Sequence, residues 1–251
     1  SYTYYIYMNR VNSYCAALLL LLGGSCAAQA QTSYSVSGHV DDTGMEGRKV
    51  YLTVQDSEER IDSATVQDGL FRMAGTAPWP RYVRIDVEDS RESVTFVLED
   101  SVTIDFKTHQ ALPRSPLNRA LQAYLSRKDS LFAQIRSREQ ALRESCPDAE
   151  EYERKNTEMW TQAMKQSFAL GEDWIRAHPD DGVGEAAWRN ARVEAMMSCD
   201  PQALRALYSL LGPNLRSLRS AEKGRKDIER LEATAAGRPF LDIAGITAEK
   251  K

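Results

Sequence analysis

The side chains that most often hold metals or attack electrophiles are scarce in this chain. Three histidines (His39, His109 and His178) and four cysteines (Cys15, Cys26, Cys146 and Cys199) are spread over 251 residues. A zinc site needs its ligands on one face or at a short fixed spacing, and no two of the histidines meet that need. His39 falls in a strand pattern, His109 in a loop, and His178 directly before Pro179. Asp41-Asp42-Thr43-Gly44 has the opening of a calcium loop without its later ligands, and it reads as a turn. Glu58-Glu59 and Glu150-Glu151 are adjacent in sequence, so their carboxylates diverge and do not make an acid–base pair. Ser115, Ser145 and Ser220 lack the context of a nucleophile elbow. The residue types therefore give no catalytic set, no metal site and no cofactor site.

Trp79 lies between Pro78 and Pro80, with Tyr82 close behind, and has two readings. It closes one end of the β structure as a buried plug, or it stands exposed with Tyr82 as a platform for a peptide or glycan. The average burial of tryptophan favours the plug.

The elements around these residues change character at about residue 110. From Ser33 to Lys107 the pattern has period two, as in Val50, Leu52 and Val54 alternating with Tyr51 and Thr53. Tyr34–Val36, Val50–Val54, Ile61–Val66, Leu70–Met73, Tyr82–Val87, Val94–Leu98 and Val102–Phe106 predict seven short strands. Asp68-Gly69 between two of them is a strong hairpin signal. So many short strands predict an antiparallel β-sandwich, or a partly open barrel, over 31–110.

Beyond Pro113–Pro116 the period becomes helical. Leu117, Leu121, Tyr124, Leu125, Phe132, Ile135 and Leu142 make one apolar stripe. Pro147-Asp148 restarts the chain into a second helix with Tyr152, Met159, Trp160, Ala163, Met164, Phe168, Trp174 and Ile175 as its apolar positions. Asp180-Asp181-Gly182 ends it, a third helix covers Glu185–Met197, and Asp200-Pro201 starts a fourth. A polar stretch from Arg216 to Thr234 leads out. The fold class is α+β: a sandwich followed by an all-helical region over 111–236.

Charge divides the same way. Residues 31–107 hold 8 basic and 15 acidic side chains, whereas 116–236 hold 19 of each. With 32 basic against 36 acidic residues overall, the chain is no polycationic nucleic-acid binder. The acidic sandwich suits a basic protein or carbohydrate partner, or serves solubility alone.

The first thirty residues read as an address. Met8-Asn9-Arg10, an apolar run from Tyr14 to Leu22 and the Ala28-Gln29-Ala30 end are the three parts of a secretory signal peptide, with Ser1–Tyr7 upstream of it. The run is too short to span a bilayer, which takes about twenty apolar residues. Cleavage after Ala30 starts the mature chain at Gln31, exported to the periplasm or cell envelope. The rival route is lipidation at Cys26: Gly24 and Ser25 suit it, but Gly23 stands where an aliphatic residue is expected. Cys146 and Cys199 remain after cleavage, each beside turn residues at a helix junction. They either pair, closing a loop that in the chain-entropy model is worth about 4 kcal/mol, or stay apart as small hydrophobes.

Asp68-Gly69-Leu70-Phe71, then Gly75, Pro78 and Pro80, then Phe96–Ile104, resemble an N-terminal β-sandwich domain of unknown function. That domain occurs in exported TlpA/ResA-like thioredoxin-family proteins. The helical segment with its His178-Pro179-Asp180 break and the phrase Gly237-Arg238-Pro239-Phe240-Leu241-Asp242-Ile243 are similar to the same family, where such a phrase opens the thioredoxin domain. The resemblance implies a truncated domain start over 237–251 and a redox Cys-x-x-Cys beyond Lys251. It therefore carries no catalytic residue into this chain. It implies the non-catalytic N-terminal region of a thiol–disulfide oxidoreductase, serving positioning, partner selection or dimerisation. The partner is then another protein, the chain's own thioredoxin domain or a second copy, with no nucleic acid and no membrane span. The alternative is a free-standing envelope module that binds a peptide or glycan.

Overall fold

The computed structural model describes residues 31–40, 43–112, 115–198 and 200–234. The strands are β1 (Thr32–His39), β2 (Lys49–Val54), β3 (Arg60–Thr65), β4 (Leu70–Ala77), β5 (Tyr82–Val87), β6 (Ser93–Val97), β7 (Val102–Asp105) and β8 (Gln110–Ala111). All seven strands expected from the alternation are present, and the two-residue β8 is added to them. They form two four-stranded sheets, ordered β4-β1-β7-β8 and β3-β2-β5-β6. Alternation fixes their inner faces: in β5, Val83, Ile85 and Val87 are buried while Tyr82, Arg84 and Asp86 are half-exposed. Val36, Phe71 and Ile104 of one sheet share a single core with Leu52, Ile85 and Phe96 of the other. At the margins β3 lies against β4 and β6 against β8, so the sandwich is nearly closed along both edges.

Two details correct the sequence reading. The sandwich is not wholly antiparallel, because β1 and β7 pair in parallel, from Val36 opposite Val102 to His39 opposite Asp105. Parallel neighbours need a long crossover, and β2 to β6 supply it, with β2, β3, β5 and β6 building the second sheet and β4 returning to pair with β1. The Asp68-Gly69 turn is also unusual. Both residues have positive φ, 52° and 69°, as a two-residue hairpin turn requires. Gln67 and Leu70 exchange backbone hydrogen bonds of 2.9 Å in each direction. Yet the strands it joins separate at once: β3 pairs with β2 and β4 with β1. The turn thus carries the chain between sheets.

Six helices follow among the described residues: α1 (Pro116–Ser145), α2 (Ala149–Ala177), α3 (Gly182–Met197), α4 (Pro201–Ser209), α5 (Pro213–Arg216) and α6 (Arg219–Thr234). Aspartates start three of them. Asp148 accepts from Glu151 N, Asp181 from Val183 N and Gly184 N, and Asp200 from Gln202 N and Ala203 N. The segment expected to lead out as a polar stretch contains α6, which buries Ala221, Gly224, Asp227 and Ile228. α2 also departs from expectation. Its buried positions are Ala163, Ser167, Gly171 and Ile175, a ridge of mostly small residues, whereas Trp160, Met164 and Phe168 stay half-exposed beside it. The cause is the close approach of α3: a Cβ on Gly171 would stand 2.8 Å from the Ala191 Cβ. Ridges of every fourth residue interlock there, and only small side chains fit.

From Thr32 onward the described residues belong to one compact unit. Val97 of β6 packs with Leu121, Val183 and Ala186, which ties the sandwich to α1 and α3.

Candidate functional site

Two of the places among the described residues where polar side chains meet beneath the surface bear on a candidate site. The first is the seam between sandwich and helices. Glu185, in the first turn of α3, is fully buried; its Oε2 accepts from Tyr82 N at 3.0 Å and lies 3.7 Å from Arg81 Nε. Burial pushes this carboxyl up to about 7, although Arg81 and the Tyr82 amide pull the other way. The approach is tight, since a Cβ on Gly182 would come within 2.9 Å of the Pro80, Arg81 and Tyr82 backbone. Nearby, Asp56 from the β2–β3 turn accepts from Arg219 N at 2.6 Å and Ser220 N at 3.0 Å, capping α6. Arg189 Nη1 donates to Gln55 O at 2.9 Å. These groups fasten one half to the other.

The second place is a pocket of about 690 Å³ between α2, the end of α3 and the start of α4. Trp160, Met164, Phe168 and Met197 form most of its wall; Asn156, Lys165, Glu194 and Asp200 supply its polar and charged groups. That volume and mixture are typical of small-ligand sites. Glu194 is 8% exposed. Its Oε1 accepts from Lys128 Nζ at 2.8 Å and from Ser167 Oγ at 2.6 Å, while its Oε2 is buried without a partner. Asn156 Oδ1 is likewise buried and unpaired.

The residues singled out from sequence fall elsewhere. Trp79 is a plug at 6% exposure, but it closes the helical core with Tyr124, Trp188 and Leu215 rather than the sandwich core. The Arg81 guanidinium sits 4.6 Å above its ring. Tyr82 is half-buried in β5, and burial raises its hydroxyl pKa. The pair therefore forms no exposed platform, because α3 and its neighbours cover it. His178 ends α2 and holds Asp181 Oδ2 at 2.9 Å, its ring stacked on Trp174, so the His-Pro-Asp-Asp run is a helix stop. Asp180 caps α5 by accepting from Asn214 N at 2.7 Å. Ser115 donates to Glu99, whose carboxylate also accepts from Leu117 N and Asn118 N at the start of α1; Ser145 donates to Ala141 O, and Ser220 accepts from Trp188 Nε1. Cys146 is half-buried at the end of α1 and has no disulfide partner among the described residues. Cys26, Ala30, Asp41, Asp42, Cys199 and the 237–243 phrase lie outside the described residues. Within them no group of three or more His, Cys, Asp or Glu could hold a metal ion, and no helix is long and apolar enough to cross a membrane.

Sequence reasoning missed Glu194, although a signal was there. Ala187, Ala191, Glu194 and Ala195 fall at i, i+4, i+7 and i+8, so the glutamate stands on the apolar stripe of α3.

Residues 34–119 match the family described as a domain of unknown function (DUF4369). The match takes in the sandwich from Tyr34 and the first turn of α1. It agrees with the likeness of this segment to an N-terminal domain of unknown function. No curated protein and no solved structure matches the chain.

Proposed function

We propose that this chain is the non-catalytic region of an exported thioredoxin-like thiol–disulfide oxidoreductase, and that it positions the redox domain and selects its partners. The observation that carries the reading is the order of parts. A sandwich matching the domain of unknown function comes first, a helical body fastened to it follows, and the Gly237–Ile243 phrase comes last. The fastening suits a positioning role, since a body that docks a second domain must hold its own halves at a fixed angle. The 251 residues contain no Cys-x-x-Cys, so redox chemistry in this reading belongs to a separate domain. The gene sequence downstream of Lys251 tests it. A thioredoxin-like domain with Cys-x-x-Cys at a helix start is expected; a stop codon in that frame overturns the redox link.

A second reading, an envelope binding module, is favoured by the pocket between α2, α3 and α4. It moves the binding site from the Trp79–Tyr82 region to the helical half.

A further inference from the structure

The wall of the α2–α3–α4 pocket is unbalanced in its hydrogen bonding. Glu194 Oε2 and Asn156 Oδ1 are both acceptors, both buried, and both without a donor. Buried polar atoms in folded proteins nearly always have a partner, and a carboxylate oxygen can be satisfied only by a donor. Lys128 Nζ and Ser167 Oγ have both gone to Oε1 of Glu194, which fixes that oxygen and leaves the other open. The terminal torsion of glutamate is soft, so a small turn brings Oε2 to an incoming group without loss of the Lys128 contact.

The rest of the wall says what that group is attached to. Trp160, Met164 and Phe168 lie along α2 at i, i+4 and i+8, and Met197 faces them from α3 at 72% exposure. Such an aromatic and thioether surface accepts a flat or flexible apolar body. The charged side chains on the wall are Glu194, Asp200 and Lys165. Lys128 behind the wall already pairs with Glu194 at 2.8 Å, so the surroundings sum to neutral and the open acceptors, not net charge, set what binds. A carboxylate-bearing ligand could pair with Lys165 but brings no donor to Glu194 Oε2 or Asn156 Oδ1 and would stand beside two acids, so the wall discriminates against it.

We propose that this pocket binds an ammonium group carried on an apolar body, with the ammonium donating to Glu194 Oε2 and the body lying on Trp160, Met164 and Phe168. The source is a free amine or the side chain of a lysine next to an apolar residue in a polypeptide; the recognising chemistry is the same. This assignment goes beyond the reading of the whole chain and holds whether or not a redox domain follows.

Calorimetric titration of the chain with 4-phenylbutylamine, 4-phenylbutan-1-ol and 4-phenylbutyrate tests it. The amine should bind at least about tenfold more tightly than the alcohol, as a charge-assisted bond to a buried carboxylate implies, and the carboxylate should not bind. Glu194→Gln should bring amine and alcohol to equal affinity. Trp160→Ala, at a half-exposed position, should weaken both by the same factor and keep their ratio. Acetyl-Phe-Lys-amide distinguishes the sources: affinity equal to the amine's points to a polypeptide, and its failure to bind while the amine binds points to a small molecule. Equal binding of amine and alcohol to the unaltered chain, binding of none of the three, or an amine preference that survives Glu194→Gln overturns the proposal.

Discussion

Asn118 pairs with Val97 as a neighbouring strand would. Its Oδ1 accepts from Val97 N at 2.9 Å and its Nδ2 donates to Val97 O at 2.8 Å, so one side chain completes the last rung of β6. The same Nδ2 reaches Glu99 Oε2 at 2.8 Å, and Glu99 in turn accepts from Leu117 N and Asn118 N at the start of α1. Ser115, at the N-cap position, makes no side-chain cap itself. The sandwich therefore caps the first helix, and the helix completes the sandwich. The family match runs to residue 119 and so includes both sides of this exchange.

Asn118→Ala removes both bonds and leaves the Val97 N–H and C=O buried without partners. Two buried groups at about 1–3 kcal/mol each give an expected loss of about 3 kcal/mol. Since the exchange joins the two halves, urea unfolding followed by tryptophan fluorescence and by amide hydrogen exchange in β5 should shift together. All four tryptophans lie at the seam or in the helical half, whereas the β5 amides belong to the sandwich. A shift confined to one probe would show that the halves unfold independently.

Glu185 makes stability depend on pH in an unusual direction. Its carboxyl is raised from an ordinary 4.5 to about 7, chiefly by burial, so the native state holds this proton more tightly than the unfolded chain does. Protons then favour folding. The group's contribution is greatest below about 4.5, declines as pH rises towards about 7, and stays lost above that. Glu185→Gln keeps the shape and removes the titration. The difference in urea midpoint between the two chains should fall steadily across that window, and a flat difference would show that Glu185 ionises normally.

Asp56 acts across the seam on a helix distant in sequence. It caps α6 through Arg219 N and Ser220 N, so Asp56→Ala should cost about 1 kcal/mol, the usual worth of an N-cap. Asp56→Asn, which keeps an acceptor, should recover most of it. Thermal melts of the three chains measure both values.

Much of this fold was legible because burial on one face imposes a period. The alternation of Val83, Ile85 and Val87 marked β5, and Asp68-Gly69 marked the β3–β4 turn by the backbone angles it permits. The parallel β1–β7 pair was not legible, since strand order depends on which sheet each strand joins, and the local pattern is the same either way. The seam was hidden for a related reason. Glu185 near a helix start reads as a favourable charge at the dipole, and only the packing of Gly182 against Pro80–Tyr82 shows that it is buried. The pocket was hidden in plain residues: Trp160, Met164 and Phe168 were identified as apolar positions, but the small ridge beside them took the core.

That ridge can be tested by exchanging its parts. Gly171 and Ala191 face each other so closely that a Cβ on Gly171 would sit 2.8 Å from the Ala191 Cβ. Gly171→Ala gains about 1 kcal/mol of helix propensity but forces α2 from α3, at an overpacking cost of about 1–3 kcal/mol. Ala191→Gly loses about the same propensity and opens a small gap. In the double variant the methyl has simply moved across the contact, the propensities cancel, and the helix separation is restored. Stability should therefore return to within about 0.5 kcal/mol of the parent, a clear departure from additivity in a double-mutant cycle. The separation also sets the Ser167–Glu194 bond one turn along the same seam. Gly171→Ala alone should thus disturb the pocket, visible as a change in the Trp160 fluorescence environment, and the double variant should reverse it. Additive effects in the cycle would mean that the two helices tolerate a wider spacing, and that the small ridge is not what holds them together.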